Sequence, residues 1–110
     1  MRDVKFKAID PTNGLWYIGF YIVTNGNPKI ITDDGFAIVD QKTRCEFSGL
    51  TDKHRNEIYE NDIVEWEGER YVCEFHNGCF DFRSQKDGKR VANCFAILSE
   101  IKGNIHDKNA

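Results

Sequence analysis

The chain is 110 residues long, 40% hydrophobic and 13% aromatic, with a formal net charge of −3 at pH 7. That length buries a core without metal or disulfide support, the composition is not that of a disordered chain, and no run approaches the roughly 18 apolar residues of a membrane span. The mildly acidic, mixed-sign balance argues against a phosphate-tracking nucleic-acid binder, which carries a basic face or stripe. The nearest approach, Lys86, Lys89 and Arg90, shares its short turn with Asp87 and reads as solvated.

Eight phenylalanines against a single methionine favour a rigid, sheet-like core. Lys5, Lys7 and Asp10 interleave with Val4, Phe6 and Ala8, the alternation of a half-buried strand. Asp10 to Gly14 is a turn cluster, and Leu15 to Val23 then predicts a second strand hairpinned to the first. Thr24 to Pro28 reads as a break. Ile30 to Thr32 and Phe36 to Asp40 are expected to be short strands around an Asp33-Asp34-Gly35 turn. The polar stretch from Gln41 to Asn61 reads as loop, with one helical turn near Asn56 to Tyr59.

From Ile63 to Ser84 the pattern is sharper. Asn77-Gly78 suits a two-residue type I′ turn, which sets His76 opposite Cys79, Phe75 opposite Phe80 and Cys73 opposite Phe82. A second turn at Gly68-Glu69 sets Glu67 against Arg70, Trp66 against Tyr71 and Val64 against Cys73. Together these put Val64, Trp66, Tyr71, Cys73, Phe75, Phe80 and Phe82 on one face, leaving Val72 as the apolar exception on the other. Val91 to Ile101 fits a helix or a short buried strand equally well. Ile101, Gly103 and Ile105 alternate as a closing strand, and Asp107 to Ala110 is expected to fray. The whole is expected to be mainly β and antiparallel, a single domain over 1–110. Residues 1–47 would form an N-terminal β element and residues 48–107 a hairpin-rich, SH3-like barrel.

The stretch SGLTDKHRNEIYENDIVEW, from Ser48 to Trp66, resembles the YopX family of small phage and prophage proteins, whose members show a "GL-D-x-x-G-x-x-IYEGDIV" pattern. The resemblance extends through the hairpins and returns at Ile101-Lys102-Gly103-Asn104-Ile105, similar to the family's "IGNIYE". The opening Phe6 to Asp10 and Trp16 are similar to its start. Asn61 stands where the pattern has glycine, Asn56 reads as replacing a turn glycine, and His106 stands in place of tyrosine. The resemblance implies a β fold, a phage or prophage origin and a bacterial host cell. It supplies no catalytic residues and no cofactor.

Three constellations are candidates for function. The cysteines Cys45, Cys73, Cys79 and Cys94 lack short metal-clip spacing, so no metal site is expected, and Cys73 and Cys94 read as small core residues. Asp52, His54, Glu57, Glu60 and Asp62 form the densest titratable cluster. It reads as a solvated loop with local turn bonds, or alternatively as the site of a metal-dependent enzyme with His54 as ligand or base. Trp16, Tyr17, Phe20 and Tyr21 place aromatics on both faces of one strand. One pair, Trp16 with Phe20 or Tyr17 with Tyr21, belongs to the core, and the other is left as a partner-binding surface or is buried by the fold itself. The expected function is therefore a non-catalytic interaction protein that binds a phage or host protein or a second copy of itself. A nucleic-acid module stacking bases on Trp16 or Trp66 is a third reading. With no hydrophobic signal core in MRDVKFKAID, a cytoplasmic location and reduced cysteines are expected.

Overall fold

The computed structural model describes residues 5–107 as antiparallel β-structure in two compact units, residues 1–47 and 48–110. Val4 and residues 108–110 of the expected frayed tail lie outside the described residues.

In the first unit the strands are β1 (Phe6–Ile9), β2 (Trp16–Thr24), β3 (Asn27–Thr32), β4 (Gly35–Ile38) and the start of β5 (Cys45–Thr51), side by side in the order β4-β3-β2-β1-β5. The β1–β2 hairpin is present, with Ala8 opposite Tyr17. The expected break at Thr24 to Pro28 is instead a tight hairpin. Asn25 and Gly26 both take positive φ, 51° and 77°, as a type I′ turn demands, and Asn27 and Pro28 already belong to β3. Ala8, Ile30 and Val39 form the buried centre, with Phe6, Tyr17, Tyr21 and Ala37 packed on it. Gly19 makes the close approach of β3 to β2 possible. A Cβ there would lie 2.1 Å from the Ile31 carbonyl oxygen and 3.2 Å from Cγ2 of Ile30.

The second unit holds the rest of β5, then β6 (Glu57–Tyr59), β7 (Asp62–Trp66), β8 (Glu69–His76), β9 (Cys79–Ser84), β10 (Arg90–Val91), a 3₁₀ segment (Asn93–Leu98) and β11 (Glu100–Asn104). Residues 41–61 are thus not the loop expected, and no helical turn forms at Asn56 to Tyr59. They contain a 3₁₀ turn (Gln41–Thr43), β5 and β6. These strands form because distant partners bind them. Phe6 and Lys7 pair with Glu46 and Cys45, and the buried Ser48 hydroxyl donates to the Ile58 carbonyl at 2.6 Å.

The five-stranded sheet has the order β10-β9-β8-β7-β11. The Asn77-Gly78 hairpin has the expected register, His76 to Cys79, Phe75 to Phe80 and Cys73 to Phe82. The preceding turn sits one residue earlier than expected, at Glu67-Gly68, so that Trp66 faces Glu69 and Val64 faces Tyr71. The reason is conformational. Glu67 (φ 51°) and Gly68 (φ 79°) put glycine second in the turn, as in Asn25-Gly26 and Asn77-Gly78. The face assignment survives because Tyr71 and Cys73 lie on the same side of their strand.

Val64, Tyr71, Cys73, Phe80 and Phe82 are buried in one cluster with Ile58, Phe95 and Ala96, and Trp66 packs against it. Phe75 lies on that face, opposite Phe80, but at the hairpin tip it is 50% exposed rather than buried, edge-on to Phe80 with centroids 5.1 Å apart. Val72 is buried rather than exposed, and pairs with Ile63. The ambiguous 91–101 segment is mostly neither α-helix nor strand. Its 3₁₀ segment turns Phe95 and Ala96 inward and leaves Cys94 exposed, so Cys45 and Cys73 are the buried thiols, not Cys73 and Cys94. Phe95 is the hub of the cluster, with Trp66, Tyr71 and Phe82 ring centroids at 5.1, 5.1 and 5.0 Å. The sheet is open between β10 and β11 rather than closed as the expected SH3-like barrel.

Replacing Gly19 by alanine forces the Ile31 backbone to move. It is expected to cost about 1–3 kcal/mol, read as a lower urea midpoint with an unchanged denaturant slope.

Candidate functional site

The alternation along β2 resolves in favour of an inward tyrosine pair. Tyr17 and Tyr21 pack on Ala8, Ile30 and Val39. The Arg44 guanidinium lies 5.1 Å above the Tyr21 ring and 5.7 Å above Phe6. The Tyr21 hydroxyl is buried and has no hydrogen-bond partner.

The opposite side of the same strands is apolar and open. Strand pairing aligns Phe20, Ile31 and Phe36 across β2, β3 and β4. They are 60%, 36% and 62% exposed, and Ile18 and Ile38 are exposed beside them. Cross-strand partners share a face, so these side chains form one surface rather than scattered contacts. Cations border it. Lys29 Nζ lies 5.1 Å from the Phe36 ring centroid while donating to Thr24 Oγ1 at 2.6 Å, and Lys7 Nζ lies 4.7 Å from Trp16. Trp16 shares this outer face with Phe20 but is half-buried, so of the aromatics singled out in β2, Phe20 is the exposed one. Ile18, Ile31, Phe36 and Ile38 were not singled out in the sequence. The signal available was their cross-strand register with Phe20.

The acidic loop is built differently. Asp52 is only 1% exposed, and its Oδ1 accepts the backbone N–H groups of His54 and Asn56 at 2.9 Å each, while Oδ2 accepts that of Ile101 at 3.1 Å. Burial alone would raise its pKa. The three N–H donors and the nearby His54 outweigh that and hold it below the ordinary carboxylate value. Asp62, also 1% exposed, accepts from Tyr59 N at 2.7 Å and from Asn104 Nδ2 at 2.9 Å. Glu57 accepts from the Tyr59 hydroxyl at 3.1 Å, whose ionisation is pushed up by burial and then by the Glu57 charge. His54 turns to Glu100, with Nε2 and Oε2 3.0 Å apart. Bonds from Lys102 and then His54 hold Glu100 down to about 2. The structure therefore gives each of Asp52, His54, Glu57 and Asp62 its own partners and does not converge them on one point. Among the described residues, no three His, Cys, Asp or Glu side chains are placed to hold a metal ion. Trp66 packs on Phe95, half-buried.

The motif residues have clear local work. Asn61 takes φ 70°, the conformation in which the family pattern has glycine. The second left-handed residue is Arg55 (φ 64°), not Asn56. Gly103 follows a bulge in β11, and Asn104 then reaches Asp62, so the "NDIV" and "KGNI" segments are bonded to each other. A family model described as YopX protein matches residues 17–109. The chain belongs to the YopX family. No curated protein matches it. In this YopX-family chain, no helix among the described residues is long and apolar enough to cross a membrane.

Two substitutions test these assignments. A carboxylate whose folded pKa lies below its unfolded value of about 3.9 adds stability that is present above that value and is lost as pH falls through the folded pKa. Asp52→Asn is expected to cost about 1–3 kcal/mol at neutral pH and to flatten the fall in melting temperature as pH drops below the ordinary carboxylate value. Tyr21→Phe removes a buried hydroxyl that has no partner. It is expected to leave stability unchanged or raise it by about 1 kcal/mol in chemical denaturation.

Proposed function

We propose that this chain is a non-catalytic interaction protein of a phage or prophage, acting in the cytoplasm of the bacterial host by binding protein. Its binding surface is the outer face of β2, β3 and β4. The observation that carries this reading is the exposed Phe20–Ile31–Phe36 row. Contiguous apolar surface of this kind on a small protein marks a partner site. The family supports the phage or prophage origin, and the separate, satisfied partners of Asp52, His54, Glu57 and Asp62 give no support to catalysis on that loop. A second copy of the chain is the proposed partner at this face, since a two-fold isologous contact covers like with like. For the second unit we propose an SH3-like layout. A meander of β7 to β10, a 3₁₀ segment and a last strand returning to β7 support it.

Sedimentation across a concentration series is expected to show a dimer at micromolar concentration. Phe20→Ser is expected to weaken it by roughly 1.5–3 kcal/mol per buried ring, with the far-UV spectrum unchanged. A monomer up to high micromolar concentration overturns self-association, and a dimer indifferent to Phe20→Ser places it elsewhere.

A further inference from the structure

The edge of β4 is a different surface from its outer face. β4 ends the strand order of its unit, and it carries no charged residue or proline to blunt pairing. Val39 N donates to the Pro28 carbonyl at 3.0 Å, which fixes the alternation. In an antiparallel ladder, the N–H and C=O groups of Phe36 and Ile38 then point away from β3. Those two residues are 62% and 48% exposed. Directly beside the edge is a cleft of about 380 Å³, lined by Phe36, Ala37 and Ile38 on one side, by Asp10, Pro11 and Thr12 on the other, and by Tyr17. The chain leaving β4 returns to β1 through Asp40 N and the Ile9 carbonyl, 2.8 Å apart, which keeps the Asp10 turn close to the edge.

The charges that flank this edge are mainly acidic, with Lys29 held over the Phe36 ring. Asp33 and Asp34 precede β4, Asp40 follows it, and Asp10 faces the cleft. Thr12 donates to Asp10 twice, from N at 2.9 Å and from Oγ1 at 2.7 Å, and both bonds fall on Oδ1, leaving Oδ2 for a ligand. These bonds, the side-chain one first, keep the carboxyl below its ordinary pKa. Pairing two copies edge to edge would bring the same acidic groups together, which disfavours the homotypic contact.

We infer that the β4 edge and its cleft bind an extended, cationic segment of a partner protein by strand addition. The backbone of Phe36 and Ile38 would supply the pairing, and Asp10 with the Tyr17 ring would receive a lysine or arginine side chain. This rests on the interaction reading above but uses an edge that face-to-face dimerisation leaves open.

The test titrates the whole chain with three capped hexapeptides, alternating Lys-Val, alternating Glu-Val and Lys-Val methylated at every backbone nitrogen, at physiological ionic strength, by isothermal calorimetry. The Lys-Val peptide is expected to bind at least about tenfold more tightly than the other two, because Glu-Val has the wrong charge and the methylated peptide lacks donors for the ladder. Asp10→Asn is expected to weaken it about three- to fivefold. Ile38→Pro, which removes an outward N–H, should weaken it up to about tenfold, whereas Ile38→Ser, which keeps that N–H, should not. Equal binding of Lys-Val and its N-methylated form overturns strand addition, and insensitivity to Asp10→Asn overturns the cation site. Should Ile38→Pro not fold, the peptide series and Asp10→Asn decide. A wild-type dimer abolished by Ile38→Pro but not by Ile38→Ser would assign the edge to a second copy and overturn the proposal. A monomeric protein that binds Lys-Val as described upholds the edge and rejects only the dimer at the outer face.

Discussion

The buried carboxylates of Asp52 and Asp62 are the constraint around which the second unit is organised. A desolvated carboxylate is tolerated only when hydrogen-bond donors surround it. Asp52 gathers backbone N–H groups from its own turn and from Ile101, and Asp62 gathers Tyr59 N and the Asn104 amide. Each bond joins residues 52–62 to one another or to β11. The last strand is thus held by polar contacts at its ends, and by pairing of Ile101 with Val64 between them. The aromatic cluster on Phe95 fills the space this frame defines.

That division clarifies why the acidic stretch attracts attention as a catalytic candidate. Titratable residues in close sequence spacing are the ordinary signature of a reactive loop. Here the same residues spend their lone pairs on backbone donors, and the histidine leans outward onto Glu100, between Lys53 and Lys102. Those bonds hold the loop in shape. In the first unit the apolar side chains are more exposed, Phe20 and Phe36 above all.

What was legible in the chain followed from local geometry. The Asn77-Gly78 turn fixed its flanking pairs because only left-handed residues fit both central positions. Glu67-Gly68 was harder to read, since glutamate is an unusual occupant of such a turn and its neighbour Glu69 looks no different. β5 was illegible for a deeper reason. Glu46, Ser48 and Gly49 have little intrinsic strand preference, and the segment becomes a strand through pairing with residues far away in sequence. The two faces of β2 were evident from its alternation. Which face was inward depended on Ala8, Ile30 and Val39, none of them adjacent in sequence to the aromatics they cover.

The short X-Gly turns also bear on the route by which the chain folds. A two-residue connection holds its flanking strands together at almost no loop-closure cost, and such hairpins form on the order of microseconds. β2–β3, β7–β8 and β8–β9 are all joined this way. The pairings of β1 with β5 and of β7 with β11 have long intervening segments to bring together. They are the steps through which topology slows this protein's arrival at its native state, and until β11 docks, Asp62 is without its contact from Asn104.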